Sequence, residues 1–550
     1  MKKLVLTTLN ARYTHTSLAL YYLQAVLQGQ DIEVELCEYN INQPQLDIIE
    51  DLLSRQADYI AFSIYIWNVE QIKSILTDLG RLVESTRFIA GGPEVSYKAE
   101  KWLAEFECLD YVVTGAGEGV IAEIIADENG RLKGIVPGKA VSIAELPFPY
   151  EHLDIEGKDS RYFYYETSRG CPFRCAYCLS SRSDQKLQFR PIQLVYIELE
   201  QFIRGGYAHI KLVDRTFNAK PARSRQIWQK IAELYKAYPE SETGFHFEIH
   251  PELLGEEDFA VLSAIPSGRF RFEIGIQTLN SETGKLIHRQ MDWAKVKENI
   301  LRIKELGNIH IHLDLIAGLP GEDIDSLAAG FDDVIKLDSG HLQLGFLKIL
   351  AGTEMESLVS EHEIIYQVKA PYQVLQTKLM SWADLGKVRQ VEAVLDIYYN
   401  SGRFKRAMTV LLTEKEISGW LLLRGLAGYY QQLGLDLRMR DWERCAIALV
   451  DMVMTLNIIG REELLDHLRI DWCGQSRSSY YPVFLQNEVL AKARKKGYQI
   501  LSQHKNDIDG LKAAEIRQAI FFLPVSDYYK SSEIQVYFGK AGRKQIVTVT

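Results

Sequence analysis

Short apolar runs of strand length alternate with helical patterns over the first 145 residues. This alternation predicts a parallel, doubly wound sheet, an α/β fold whose ligands bind beyond the carboxyl ends of the strands. Glycines follow two of the runs, at Gly91-Gly92 and from Gly115 to Gly119. The predicted strands are Leu4–Leu6, Ile32–Leu36, Tyr59–Ile66, Arg87–Ala90 and Tyr111–Val113, and the predicted helices are Ser17–Leu27, Gln45–Gln56 and Val69–Glu84.

A proline-bearing linker, Leu146–Pro149, precedes a second series of about six strand and helix patterns. The first strand of this series runs directly into a cysteine-rich loop. The predicted strands are Tyr162–Thr167, His209–Val213, Gly244–Ile249, Phe270–Ile276, His310–Ala317 and Leu342–Lys348, and the predicted helices are Pro191–Ile203, Pro221–Tyr238 and Val296–Leu306.

The remaining residues carry no motif that we can attach to chemistry. Helical patterns predict a mainly α region with a β-rich tail. We therefore expect three domains, at residues 1–145, 146–360 and 361–550. The predicted helices are Tyr366–Leu395, Glu414–Gln432 and Ala446–Leu456, and the predicted tail strands are Ile534–Tyr537 and Gln545–Thr550.

Composition adds bounds to this picture. The 550 residues are 47% hydrophobic, enough to bury several cores, and the formal net charge of −10 argues against a general nucleic-acid binder. No apolar stretch approaches the roughly 20 residues of a membrane span. The apolar run at Leu4–Thr8 is shorter than a signal-peptide core, so we expect a buried strand there. Seven cysteines without a pairing pattern favour a reducing cytoplasm.

The chain is organised around the loop Ser168–Leu179, which reads S-R-G-C-P-F-R-C-A-Y-C-L. It holds Cys171, Cys175 and Cys178, three of the seven cysteines. An odd number of close thiols cannot all pair as disulfides, and a structural zinc ion wants four ligands. Three thiolates suit an iron–sulfur cluster better, and they leave one iron of a four-iron cluster open. Zinc binding or chance clustering remains the alternative.

The C-x3-C-x2-C spacing, with Tyr177 before the last cysteine, resembles the radical S-adenosylmethionine (SAM) superfamily. The resemblance implies a partial (βα)6 barrel in which the three cysteines are the catalytic residues and hold a 4Fe–4S cluster. It further implies that the open iron binds SAM and that the reduced cluster cleaves SAM to a 5′-deoxyadenosyl radical. The electron donor would be a flavodoxin or a ferredoxin.

Motifs at later strand ends extend this resemblance to a SAM site. G-I-Q ends at Gln277, G-L-P-G begins at Gly318, and V-D-R-T-F-N contains Asp214. With Tyr177 and Glu248, these three residues are the SAM-binding candidates, although each could equally have a core or capping role. Arg169 and Arg174 flank the first two cysteines, where either could pair with the SAM carboxylate or the cluster, or be a solvated loop residue.

The first domain resembles the cobalamin-binding domain that precedes the radical SAM barrel in one subclass, whose C-terminal domain is uncharacterised. The resemblance implies that a G-G-P strand end and a later glycine-rich turn line the cobalamin site. The D-x-H-x-x-G motif of many cobalamin proteins is absent. The candidate cobalamin-binding residues are His15, Ser63, Gly91, Gly92, Gly115, Glu118 and Gly119.

The function implied by these resemblances is that of a cobalamin-dependent radical SAM enzyme. A methyltransferase acting on an unactivated carbon, with methylcobalamin as methyl donor, is favoured over a rearrangement or cyclisation enzyme. A methylthiotransferase is a further alternative, but it needs a second cluster, and only Cys37 and Cys108 precede the cysteine loop. The last alternative is a non-catalytic protein that senses cobalamin or redox state. The substrate is a small molecule, a peptide or an RNA base.

Overall fold

The computed structural model describes residues 2–127, 129–151, 153, 160–181, 186–476, 480–486, 520–522, 534–540 and 543–549. The chain divides into two compact units. The first unit is residues 1–323 with 345–382, and the second is 324–344 with 383–550. The division into three domains at 145 and 360 stays a prediction.

The first sheet of the first unit is parallel and doubly wound, as predicted, with the strand order β2-β1-β3-β4-β5-β6. Its strand order reverses direction between β1 and β3, which is where such sheets bind ligands. The strands are β1 (Lys2–Asn10), β2 (Ile32–Asn40), β3 (Tyr59–Ser63), β4 (Arg87–Gly91), β5 (Leu109–Thr114) and β6 (Gly134–Pro137).

Helices cover both faces of this sheet because neighbouring strand residues are apolar on both faces. Leu4 and Leu6 pack into the core on one face with residues of α1 and α6, whereas Val5 packs into the core on the other face with α2, α3 and α5. The helices are α1 (Leu18–Val26), α2 (Gln45–Ser54), α3 (Val69–Leu82), α4 (Pro93–Ser96), α5 (Ala99–Glu105) and α6 (Ile121–Ala126).

The second sheet has the order β14-β13-β12-β11-β10-β7, a run in chain order typical of a partial barrel. Along β12, Phe270, Phe272 and Ile274 are buried, and the residues between them are more exposed. The strands are β7 (Tyr162–Tyr165), β10 (His209–Leu212), β11 (Gly244–Glu248), β12 (Phe270–Gln277), β13 (Ile309–Ala317) and β14 (Gly340–Phe346), with β8 (Ser168–Arg169) and β9 (Gln188–Phe189) forming a separate antiparallel pair.

Helices follow most of these strands. One of them, α11 (Trp293–Leu306), shows how the sequence sets both ends of a helix: the Asp292 side chain accepts a hydrogen bond from Lys295 N at its start, and Gly307 ends it at φ +70°. The helices are α7 (Ile192–Gly205), α8 (Pro221–Ala237), α9 (Glu256–Leu262), α10 (Ser281–Leu286), α11 (Trp293–Leu306) and α12 (Ile324–Ile335).

The later residues are mainly helical, as predicted, and the tail strands are present. Short 3₁₀ turns and two five-residue π-helical turns, Asp396–Asn400 and Val410–Glu414, complete the described elements. The regular elements are α13 (Met355–Leu358), β15 (Ile365–Tyr366), β16 (Val374–Gln376), α14 (Trp382–Leu395), α15 (Lys405–Thr409), α16 (Gly419–Gln432), α17 (Trp442–Leu456), α18 (Arg461–Gln475), β17 (Ile520–Phe522), β18 (Ile534–Lys540) and β19 (Arg543–Val549).

The predicted helix Tyr366–Leu395 is wrong over its first half. Strands β15 and β16 pair antiparallel there, and the helix begins only at Trp382. Pro371 lies between the two strands, where it lacks the N–H that a helix interior needs. The helix predicted from Glu414 begins at Gly419, because the Ser418 hydroxyl accepts a hydrogen bond from Leu421 N and caps it.

None of the helices in the described part of the chain is long and apolar enough to cross a membrane.

Candidate functional site

The three clustered cysteines line one cavity, the cysteine cavity, of about 750 Å³ including its solvent-facing mouth. Cys175 is buried, Cys171 and Cys178 are half-buried, and none of these three is in a disulfide bond. A tight turn brings the last two close, with Cys178 N donating to Cys175 O at 3.0 Å. Burial raises the pKa of the Cys171 thiol, although the Phe173 backbone and the Thr216 hydroxyl oppose this effect.

Soft thiolates on one cavity wall are the donor set that an iron–sulfur cluster requires. Among the described residues, no three His, Cys, Asp or Glu side chains form a group that could hold a single metal ion. Each thiolate of a four-iron cluster binds a different iron, so the sulfurs need not converge on one point. The cysteine residues therefore fit a cluster, and Cys171, Cys175 and Cys178 would hold it.

Asp214 fixes the start of the cysteine loop instead of lining this cavity. Its carboxylate accepts hydrogen bonds from Thr167 N at 2.8 Å, from the Thr167 hydroxyl at 2.7 Å and from the Ser168 hydroxyl at 2.6 Å. Burial raises the pKa of Asp214 to about 6, against the lowering effect of these donors. Its predicted contact with SAM is untested, and its observed contacts give it a positioning role.

Two further contacts hold the middle of the loop. Ala176 N donates to Ile287 O at 3.0 Å, and Met355 N donates to Ala176 O at 2.9 Å. Gly170 has φ +96°, and a Cβ there would lie 3.0 Å from Lys186 O. A side chain at this position would therefore be both strained and crowded.

The same cavity is also lined by charged and amide side chains from the carboxyl ends of the barrel strands. Tyr177, Glu248 and Gln277, three of the predicted SAM residues, line the cavity, whereas Gly318 does not. The Gln277 side-chain oxygen and His250 Nδ1 have no hydrogen-bond partner among the described residues. Asp314 also lines the cavity, as do Arg215, Glu273 and Arg289, which sequence reasoning did not select as site residues.

Glu273 is the most strongly ion-paired of these groups. Lys211 Nζ donates to Glu273 Oε2 at 2.8 Å, and His246 Nε2 lies 2.9 Å from the same oxygen. Burial alone would raise the pKa of Glu273, but the hydrogen bond from His246 and the charge of Lys211 hold it well below its ordinary value. Glu273 is therefore a fixed negative charge in the cavity wall. Glu273 and Gln277 alternate with buried residues along β12, and this period of two was the signal in the sequence that could have identified Glu273.

A second cavity, the sheet-end cavity, lies at the carboxyl ends of β3, β4 and β5 and measures about 680 Å³ including its solvent-facing mouth. Five of the predicted cobalamin residues line it: Ser63, Gly91, Gly92, Gly115 and Glu118. The wall consists mostly of glycine, alanine and aliphatic groups, so a ligand can approach the backbone closely. A Cβ on Gly92, at φ +103°, would lie 2.6 Å from Ile64 O. Glycine is thus required for the backbone path around this cavity.

The other two predicted cobalamin residues lie elsewhere. Gly119 packs against the backbone at Lys139 of the same chain, where a Cβ on the glycine would be 2.6 Å from Lys139 O. His15 Nδ1 is 2.6 Å from the Tyr164 hydroxyl of the first barrel strand. Burial lowers the pKa of His15, with smaller effects from Arg12 and Lys211. The structure therefore does not bring His15 or Gly119 to the cavity wall.

A third cavity, of about 1430 Å³ including its solvent-facing mouth, has wall residues in common with the first two. It shares Gly92 and Gly115 with the sheet-end cavity, and Tyr177, Cys178 and Arg215 with the cysteine cavity. Two stacked rings also line it: those of Tyr65 and Trp67, with centroids 4.4 Å apart and planes 5° from parallel. A flat macrocycle packs well against such an aromatic surface. The glycine backbone of the sheet-end cavity and the aromatic side chains of this third cavity therefore fit a cobalamin, which residues of both walls would hold.

Comparison with known families assigns each region. Residues 4–125 match the B12 binding domain, residues 165–334 match the Radical SAM superfamily, and residues 360–535 match a protein of unknown function, DUF4080. The chain matches a cobalamin-binding radical SAM family. The cofactors of these domains are a 4Fe–4S cluster and SAM for the radical SAM domain, and cobalamin for the B12 binding domain.

Curated relatives of this family include methyltransferases. A 2-(S-pantetheinyl)-carbapenam-3-carboxylate methyltransferase of Streptantibioticus cattleyicolor is 24% identical over 311 residues, 51% of this chain and 45% of that protein. The cobalamin-dependent radical SAM methyltransferase TokK of Streptomyces tokunonensis is 21% identical over 313 residues, 51% of this chain and 45% of that protein. The chain thus spans less than half the length of these relatives.

Among solved structures, the cobalamin-dependent SAM radical enzyme OxsB with bound aqua-cobalamin has a similar fold. Its TM-score is 0.59 at 16% identity, and the match covers 86% of this chain and 79% of OxsB. At this identity the likeness shows the fold alone, a cobalamin-type parallel sheet followed by a radical SAM barrel.

Proposed function

We propose that this protein is a cobalamin-dependent radical SAM methyltransferase that acts on an unactivated carbon. One observation carries the proposal: a cavity between the cobalamin-type sheet and the three cysteines shares Gly92 and Gly115 with the sheet-end cavity, and Tyr177 and Cys178 with the cysteine cavity. When bound, the cluster with SAM supplies hydrogen abstraction from carbon, and cobalamin supplies methyl transfer. Both groups then face one space in which a substrate can lie.

The chain's own residues would bind and orient the cluster, SAM and cobalamin. Cys171, Cys175 and Cys178 would hold the cluster, and Asp214 fixes the backbone that leads into their loop. In the same cavity, acceptors that could hold a SAM amino group or ribose are offered by Glu248, Glu273, Gln277 and Asp314. The aliphatic lining of the sheet-end cavity excludes water from the ligand that it encloses.

The cysteine inventory disfavours the methylthiotransferase alternative. Cys37 is buried in the core beside α2, and Cys108 donates from its thiol to Leu76 O at 3.5 Å. Only these two cysteines precede the cysteine loop in the sequence, too few for a second three-cysteine cluster. The proposal therefore predicts one cluster for each chain.

Metal and corrinoid stoichiometry tests the proposal. The full chain is reconstituted without oxygen, with iron, sulfide and hydroxocobalamin, and the bound groups are measured after gel filtration. The proposal predicts about four irons and one corrinoid per chain. About eight irons would favour a methylthiotransferase, and four irons without corrinoid would contradict a cobalamin enzyme.

A further inference from the structure

One ion pair connects the wall of the sheet-end cavity to the loop that carries the cysteines. Arg169 Nη2 lies 3.0 Å from Glu118 Oε1 and 2.5 Å from Glu166 Oε1. Glu118 lines the sheet-end cavity, and Arg169 is two residues from Cys171. The sequence analysis gave the two residues unrelated roles. Glu118 was a candidate cobalamin contact, and Arg169 was a candidate partner of the SAM carboxylate or the cluster.

The surroundings make this contact specific. The Glu118 and Glu166 side chains are 12% and 9% exposed, and Arg169 is 29% exposed. The guanidinium also lies 5.9 Å from the centre of the Tyr22 ring, on helix α1, which borders the same cavity. Burial alone would lower the pKa of Arg169, but the carboxylates of Glu166 and Glu118 raise it, so the guanidinium stays charged.

The loop that Arg169 belongs to is fixed at its start and at its middle. Asp214 holds Thr167 and Ser168, and Ile287 holds Ala176. A cluster on Cys171, Cys175 and Cys178 adds three bonds to the same loop. Through the Arg169–Glu118 ion pair, a loop ordered in this way would also fix the Glu118 carboxylate at the cavity wall.

We propose that Arg169 and Glu118 are positioning residues that couple cluster binding at the cysteine loop to cobalamin binding in the sheet-end cavity. This inference rests on the proposed function, because it takes the ligands to be a cluster and cobalamin. Such coupling is reciprocal: whatever the cluster adds to cobalamin affinity, cobalamin adds to cluster affinity. Coupling between two sites typically changes affinity by about 5- to 150-fold.

The test measures cobalamin affinity in two states of the full chain. Equilibrium dialysis against hydroxocobalamin is performed without oxygen on cluster-free, thiol-reduced protein and on reconstituted protein. Free cobalamin is read in the outer chamber, so cluster absorbance does not interfere. For the wild type we expect about tenfold tighter binding in the cluster-loaded state.

Glu118→Gln and Arg169→Gln should each bring the ratio of the two affinities close to one. The double variant should change this ratio no further than either single variant does. A simple contact between Glu118 and cobalamin would instead weaken binding in both states equally and leave the ratio unchanged. Glu105→Gln is the matched control, because it breaks the exposed Lys73–Glu105 ion pair of the same sheet region, 2.7 Å long, and should keep the wild-type ratio.

Reverse coupling gives a second readout that does not depend on cobalamin affinity. Cobalamin should slow the loss of iron to a chelator in the wild type and have no such effect in Glu118→Gln, which retains the three cysteines. If wild-type protein binds cobalamin equally well in both states, or if the ratio survives in both single variants, the coupling is overturned. A wild type that binds no cobalamin overturns the proposed function and the coupling together.

Discussion

Asp214 accepts a 2.6 Å hydrogen bond from the Ser168 hydroxyl, three residues before the first cysteine of the clustered loop. The same carboxylate also binds the Thr167 hydroxyl and the Thr167 backbone N–H. One strand-end side chain from β10 thus fixes the point at which β7 turns into the cysteine loop. A buried carboxylate with three donors is expensive to disturb, because each donor that is left unpaired keeps its desolvation cost.

Asp214→Ala removes both carboxylate oxygens, and with them the three hydrogen bonds, and leaves the buried Thr167 N–H unpaired. We expect a loss of about 1–3 kcal/mol in the free energy of unfolding and faster loss of iron to a chelator. Asp214→Asn retains one acceptor oxygen and should fall between Ala and the wild type. Asp292→Asn, at the exposed start of α11, is the control and should behave as wild type, since Asn caps helices as well as Asp. Wild-type iron retention in Asp214→Ala would refute the positioning role.

Cys175→Ala tests the cluster ligands. The thiol is buried on the cavity wall, and alanine cannot bind iron. Reconstituted protein should fall from about four irons to a small fraction of that, with loss of the cluster's absorbance. The matched control is Cys37→Ala, which removes a buried thiol from the first sheet and should keep its iron. Equal iron contents in the two variants would mean that Cys175 is not a ligand.

Gly92→Ala and Gly91→Ala separate the backbone path from the space available to the ligand. A methyl group on Gly92 would collide with Ile64 O in a left-handed conformation, whereas one on Gly91 comes no closer than 3.9 Å to its neighbours. Gly92→Ala should therefore lower both the thermal midpoint and cobalamin affinity. Gly91→Ala should keep the midpoint and lower only the affinity. Unchanged cobalamin binding in both variants would place the ligand elsewhere.

Asp471 gives a pH-dependent stability in the second unit. Its carboxylate accepts hydrogen bonds from Arg406 N and Ala407 N, and burial raises its pKa to about 7. The folded state therefore binds its proton more tightly than the unfolded state, in which the pKa is near 4. Stability should fall between about pH 4 and pH 7, by at most about 1.4 kcal/mol per pH unit, and then level off.

Thermal midpoints measured across this range check the Asp471 prediction. Asp471→Asn removes the titration and should flatten this part of the profile. Asp441→Asn, at the exposed start of α17, should leave the profile as in the wild type. A profile that is equally steep in Asp471→Asn would assign the pH dependence to other groups.

Local sequence patterns predicted which strand ends carry the glycines and cysteines that line the cavities, whereas the ligands of these residues stay a prediction. Glycines after β4 and β5 and cysteines after β7 are found where strand ends of parallel sheets place ligands. The reason is geometric, since the carboxyl ends of parallel strands share one edge. A glycine at such an end also has few roles other than close approach or an unusual backbone conformation.

Long-range pairing of side chains could not be predicted in the same way. His15 lies in a loop after β1, as expected, but its ring bonds to Tyr164, 149 residues later. The Asp214 carboxylate accepts hydrogen bonds from Thr167 and Ser168, and Arg169 forms an ion pair with Glu118. A single sequence shows which side chains can pair, whereas the choice of partner depends on how the two sheets are placed within the first unit.

The central claim is that one chain joins radical SAM chemistry to cobalamin-dependent methyl transfer. The most direct measurement quantifies 5′-deoxyadenosine and S-adenosylhomocysteine together, in reconstituted protein given dithionite and SAM without oxygen, with and without hydroxocobalamin. The account predicts both products with cobalamin, and loss of S-adenosylhomocysteine without it. Formation of 5′-deoxyadenosine alone, unaffected by cobalamin, would contradict methyl transfer and leave a radical SAM enzyme of another kind.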